Sequence, residues 1–138
     1  MTSWERDFIT HGRVARMATV DQDGRPSVVP IVYAFDRRLY TLIDAKPKRV
    51  EALRLRRVQN IQANPHVAIV VDHYSENWSD LAWVLIRGTA VVVADGSTHT
   101  TGIDLLRQKY PQYATLPLEG YPLIVVTPTT IRSWRATA

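Results

Sequence analysis

Apolar residues along this chain fall mostly into short alternating or continuous blocks separated by Gly, Pro, Asp and Asn. That is the signature of strands and tight turns rather than of long helices. Residues 1–12 are the first exception, an amphipathic helix with Trp4, Phe8 and Ile9 on one side and Gly12 at its end. Residues 13–20 then read as a strand, and Asp21-Gln22-Asp23-Gly24 as a tight turn in which Gly24 takes positive φ. Residues 26–35, PSVVPIVYAF, are rich in β-branched and aromatic residues and predict a second strand. Pro30 within it cannot donate to a ladder, so this point belongs at an edge or a bulge. A turn at 36–38 leads to a third strand at 39–43.

A helix is predicted from Lys48 to Ala63, with Val50, Leu53, Val58 and Ile61 as its buried stripe and Asn64-Pro65 as its stop. Strands follow at 66–74 and 81–94, around a polar loop at 75–80; Gly88 marks a bulge or a close backbone approach. Ser97 to Tyr110 predicts another helix, stopped by Pro111, then an irregular loop and two extended segments at 123–127 and 130–135. Hairpin-length turns imply antiparallel pairing. Six or seven such strands close into a barrel or fold into a sandwich, and the absence of regularly alternating helices argues against a doubly wound parallel sheet.

At 138 residues with no repeat or linker, the expectation is a single domain over 1–138. The absence of cysteine excludes disulfides, thiol catalysis and cysteine-ligated metals. The start, MTSWERDFITHGR, lacks a signal-peptide core, and no apolar run approaches the roughly 20 residues that span a bilayer, so the cytoplasm and no membrane partner are expected. Net charge is +4. The excess is local: Lys46, Lys48, Arg49, Arg54, Arg56 and Arg57 face one acid, Glu51, in twelve positions. A solvated helix face is the commoner reading of such a run, and a binding surface the other.

Candidate chemistry concentrates at Thr41-Leu42-Ile43-Asp44-Ala45-Lys46-Pro47-Lys48-Arg49, where a strand enters a helix. Pro47 suits the first helical position and leaves Lys46 as a cap without an acceptor. Open backbone donors, a positive dipole end and two lysines attract phosphate or carboxylate; the alternative is that Asp44 or solvent satisfies the helix start and the lysines are merely exposed. The four histidines, His11, His66, His73 and His99, show no metal-binding spacing. His73, beside Asp72, offers acid–base chemistry, although a structural role is the commoner one for such a histidine. No nucleotide-binding glycine motif or nucleophile elbow is present, and no catalytic residue stands out.

The ordered set RVARMATVDQDGRPSVVPIVYAF, LYTLIDAKPKRVEALRLRRVQNIQANPHVAIVVDHY, WVLIRGTAVVV and IRSWRA resembles the split-barrel flavin and deazaflavin oxidoreductases related to pyridoxamine 5′-phosphate oxidase, and within them the short actinobacterial deazaflavin-dependent branch. The resemblance implies a mainly β fold, a six-stranded antiparallel split β-barrel, and a homodimer with two cofactor sites. It implies that Lys46, Pro47, Lys48 and Arg49 hold the cofactor phosphate, and that Thr41 lies on the strand leading to them. The strand from Ser27 to Val32, with Val29, Pro30 and Ile31, would pass the tricyclic ring. Trp134 falls near a C-terminal tryptophan that approaches the cofactor from the other subunit; Trp78 and Trp83 are weaker candidates. The implied cofactor is coenzyme F420, with FMN as the alternative, and the implied reaction is hydride transfer to a small-molecule electron acceptor. The chain lacks the extended C-terminal segment of true pyridoxamine-phosphate oxidases, and Pro47 departs from many of them.

Two other classes compete. A noncatalytic flavin, deazaflavin or haem-binding protein would need no catalytic side chain. A nucleic-acid binder would use the basic helix, but these basic residues are not interleaved with stacking aromatics, so no nucleic-acid partner is expected.

Overall fold

The structure is a computed structural model that describes residues 1–43 and 55–137. All its strands belong to one antiparallel sheet: β1 (Ala15–Val20), β2 (Pro26–Ile31), β3 (Ala34–Phe35), β4 (Leu39–Leu42), β5 (His66–His73), β6 (Ala82–Val93) and β7 (Leu123–Arg135). Their spatial order is β2-β1-β5-β6-β7-β4-β3. The two ends of that order are consecutive in sequence. From Ile31 to Ala34 the backbone spans at most about 11 Å, so the two sheet edges must meet and the sheet must curl into a barrel.

That crossing explains why seven strands stand where the resemblance implies six. Residues 26–35 divide at Val32-Tyr33, where the chain leaves β1 and joins β4. Conversely, the two predicted C-terminal segments are one strand, β7, paired along all of β6. The register shift between Arg87 and Gly88 replaces the expected break. A Cβ at Gly88 would lie 2.3 Å from the Thr127 carbonyl oxygen, so only glycine admits the crossing strand there.

The β1–β2 turn follows local chemistry. The Asp21 carboxylate accepts from the Asp23 and Arg25 amides, both at 2.9 Å, and Gly24 takes φ +82°. Pro30 lies on β2, an edge of the sheet order, where its missing N–H breaks no central ladder.

Among the described residues three α-helices cover the sheet. In α1 (Ser3–His11), Thr2 and Glu5 form a reciprocal capping box, and Gly12 closes the other end by donating to the Phe8 carbonyl. In α2 (Arg56–Ala63), the helix starts later than the pattern predicts: Leu55 is extended, and the earlier part, 48–54, lies outside the described residues. The third helix, α3 (Gly96–Lys109), agrees with prediction to within one residue at each end.

Alternation along β1, β5 and β6 places Met17, Ile69, Val84 and Ile86 in the barrel interior, with Tyr33 and Ile9 of α1. A second cluster lies between α3 and the outside of β4 and β7, built from Tyr40, Leu42, Ile103, Leu106 and Leu123. All four residues of β4 are therefore buried, because both of its faces are covered.

Candidate functional site

The crossing of β2 into β3 is where the expected cofactor strand meets the rest of the molecule. Within the sheet β2 pairs with β1 alone. An edge strand leaves alternate backbone N–H and C=O groups without a ladder partner. Its side chains alternate: Val29 packs partly against the core, Ile31 is buried, and Val28 and Pro30 stand exposed on the outer face.

The crossing itself is held by side chains. Thr41 is buried on β4 and its hydroxyl donates to the Val32 carbonyl at 2.8 Å. Tyr33 donates its backbone N–H to the Tyr110 hydroxyl at 3.1 Å. That hydroxyl shares its proton between the carbonyls of Tyr33 and Arg13, at 3.0 and 2.9 Å. The Tyr33 hydroxyl donates to the Ile9 carbonyl at the end of α1. Two tyrosines and a threonine thus satisfy backbone groups that leave one ladder before entering the next.

Lys46, Pro47, Lys48 and Arg49, the expected phosphate-binding residues, lie outside the described residues, as does Arg54. Of the basic run, Arg57 is described, and so is Arg56. It faces the β1–β2 turn across a polar cleft of about 260 Å³ that also includes Asp21, Asp23, Arg25 and Asn60. Asn60 ties α2 to β1 by donating to Thr19 at 3.0 Å, both side chains being buried.

The tryptophans separate. Trp78 is 68% exposed on a short 3-10 turn at 78–80. Trp83 and Trp134 are register partners on β6 and β7, 37% and 46% exposed. They share the outer sheet face with Val28 and Pro30 of β2, although β1 and β5 lie between. The structure does not bring Trp78 or Trp134 against β2 within one chain.

His73 lines a cleft of about 310 Å³ with His11 and Asp72, and Asp72 pairs with Arg16 at 2.6 Å. His99 is the buried histidine, with Nε2 2.7 Å from the Tyr121 carbonyl oxygen. Among the described residues no three His, Asp or Glu side chains are arranged to hold a metal ion, and no helix is long and apolar enough to cross a membrane.

One cluster was not singled out by the sequence reading. Lys109, at the end of α3, buries its Nζ without a hydrogen-bond partner, 3.9 Å from the centre of the Tyr33 ring. Burial, with the nearby Arg13 charge, brings its pKa down to about 8. The one sequence signal is spacing: Lys109 follows Leu106 by three and Gly102 by seven, at the margin of the buried stripe.

A protein-family model described as pyridoxamine 5′-phosphate oxidase matches residues 1–135. No curated protein matches the sequence. Among solved structures, an F420 reductase is 24% identical, with a TM-score of 0.69 over 96% of this chain and 98% of that one. A FAD-binding protein from Mesorhizobium loti is 21% identical, with a TM-score of 0.69 over 96% and 94%. HutZ, the haem storage protein of Vibrio cholerae, is 17% identical, with a TM-score of 0.71 over 94% and 90%. At these identities the likeness is one of fold.

Proposed function

Since the chain belongs to the pyridoxamine 5′-phosphate oxidase family of split barrels, we propose that it is an F420-dependent oxidoreductase that passes a hydride between the reduced deazaflavin and an electron-poor organic acceptor. The observation that carries this reading is β2: an edge strand with an apolar outer face, in a chain whose family match runs from end to end.

The residues present fit a planar heterocycle. Val28 and Pro30 offer an apolar surface for a ring face, and the open edge of β2 offers donors and acceptors to a ring edge. Thr41 and Tyr110 hold the crossing, and so fix where β2 ends. Lys46 and Lys48 supply the charge for a phosphate, and the following arginines, Arg56 among them, suit the anionic tail that distinguishes the deazaflavin from FMN. When bound, the deazaflavin supplies the hydride; the chain's own residues bind it, orient it and exclude water from it.

Two copies pair in this reading. The outer face leaves the side chains of Trp83, Trp134 and Val28 exposed around the Arg16–Asp72 ion pair, and a second copy covers them. Trp134 of each subunit then reaches the site of its partner, whereas within one chain β6, β5 and β1 lie between it and β2.

The test is titration of the purified protein with F420 and, separately, FMN, followed by ligand fluorescence, in wild type and Lys48→Ala. Tight F420 binding, weak FMN binding and loss in the variant are expected. Preference for FMN moves the chain to the flavin branch, and binding without turnover of any acceptor makes it a carrier.

A further inference from the structure

A cleft of about 290 Å³ opens where the end of α1, Arg13, β3 and α3 meet. Its polar wall holds Arg13, Lys109, His11 and Gln108; its apolar wall holds Phe35 and Leu105. Among the described residues no carboxylate lines it. The two cations are fixed side by side. The Arg13 guanidinium donates to the Lys109 carbonyl at 3.1 Å and lies 4.7 Å above the Tyr110 ring. The Lys109 amine rests between the Tyr33 and Tyr110 rings, 3.9 and 5.4 Å from their centres.

Ring faces attract an ammonium but accept none of its three N–H donors in a full hydrogen bond. Lys109 is the one described side chain with a buried polar atom lacking such a partner. A buried, unpartnered charge beside a second like charge is a costly arrangement. An anion in the adjoining cleft supplies the missing acceptor and offsets both charges. Nothing in the mechanism proposed above uses Lys109 or Arg13.

We propose that this cleft is a second binding site, for a small organic anion: its carboxylate sits between Lys109 and Arg13, and its apolar body lies against Phe35 and Leu105. The volume, at the low end for ligand pockets, limits that body to about one ring or a short acyl chain. Lys109 turns its amine from the Tyr33 ring toward the carboxylate, and Gln108 offers a further amide donor.

The chain has only three lysines, Lys46, Lys48 and Lys109. Protein labelled with 13C at lysine Cε therefore reads each amine separately. Lys46→Arg and Lys48→Arg identify the Lys109 signal by elimination, with no change at the cleft. The probe is benzoate, with benzamide as its neutral analogue. Benzoate is expected to move the Lys109 signal in a saturable way and to leave Lys46 and Lys48 in place. Benzamide is expected to leave all three unmoved. Arg13→Gln is expected to weaken benzoate by about tenfold, the loss of one charged contact. An unmoved Lys109 signal, equal binding of benzamide, or movement of Lys46 and Lys48 instead would each overturn the proposal. The last outcome would place the anion at the cofactor loop, so failure here stays distinguishable from failure of the cofactor reading.

Discussion

Single residues in this molecule act through what they touch across long sequence separations. Gly12 is an example. A Cβ there would lie 2.4 Å from the Tyr33 hydroxyl and 2.7 Å from Val71 Cγ1, and Tyr33 is anchored to the Ile9 carbonyl. Gly12→Ala is therefore expected to destabilise the fold by about 2 kcal/mol, measured by urea unfolding. Lys109 makes a pH prediction. Its folded pKa, about 8, lies below its ordinary 10.5, so the unfolded chain holds the proton more tightly. The penalty is fully present below pH 8 and is relieved as pH rises from about 8 toward 10.5. Allowing for partial solvent screening, wild type should gain about 1 kcal/mol between pH 7 and 9.5 relative to Lys109→Met. Burial raises the Tyr33 and Tyr110 pKa values, which costs stability only above about pH 10, beyond this window. Equal pH slopes in the two proteins would remove the buried-amine account.

Elements meet at two points where the backbone rather than the core decides the geometry. At the β2–β3 crossing, Thr41 supplies the donor that a ladder would otherwise supply to Val32. Thr41→Val keeps the shape and leaves that carbonyl unpaired, so a loss of about 1–3 kcal/mol is expected in the same unfolding assay. F420 affinity should fall as well, since the end of β2 is no longer fixed. At the β6–β7 bulge, the Thr129 hydroxyl donates to the Arg87 carbonyl at 3.0 Å, while Gly88 admits the Thr127 backbone. Gly88→Ala forces backbone apart rather than a movable side chain. A loss of about 3 kcal/mol or failure to fold is expected, read by thermal melting and by soluble yield.

At the scale of the whole molecule, the proposed pairing of two copies rests on the outer sheet face. Trp83 and Trp134 stand opposite one another and partly exposed, and Trp83→Arg places a charge on that face. Light scattering is expected to show a dimer for wild type and a monomer for Trp83→Arg. The variant should also bind F420 at least about tenfold more weakly, because the site then lacks the partner's contribution. A wild-type monomer that binds F420 with full affinity would sink both the pairing and the shared site.

The strands, turns and helix ends of this protein are legible in its sequence because each is a local effect. Alternation assigns β1, β5 and β6, Asp21 to Gly24 names a turn, Pro30 names an edge, and Gly88 names a close approach. The family resemblance was also legible, since it rests on the order of such elements over residues 1–135. The split of residues 26–35 was not. Val32 and Tyr33 have the composition of a strand, and only closure of the barrel gives them the Thr41 and Tyr110 side-chain hydroxyls as hydrogen-bond partners in place of a ladder. The cleft at Lys109 was hidden for the same reason. Arg13, Tyr33 and Lys109 are dispersed through the chain, and a lysine at a helix end reads as solvated until α3 is packed against β3 and β4. Local patterning thus determined which segments became strands and helices, whereas sheet closure, a long-range event, decided which of their side chains met.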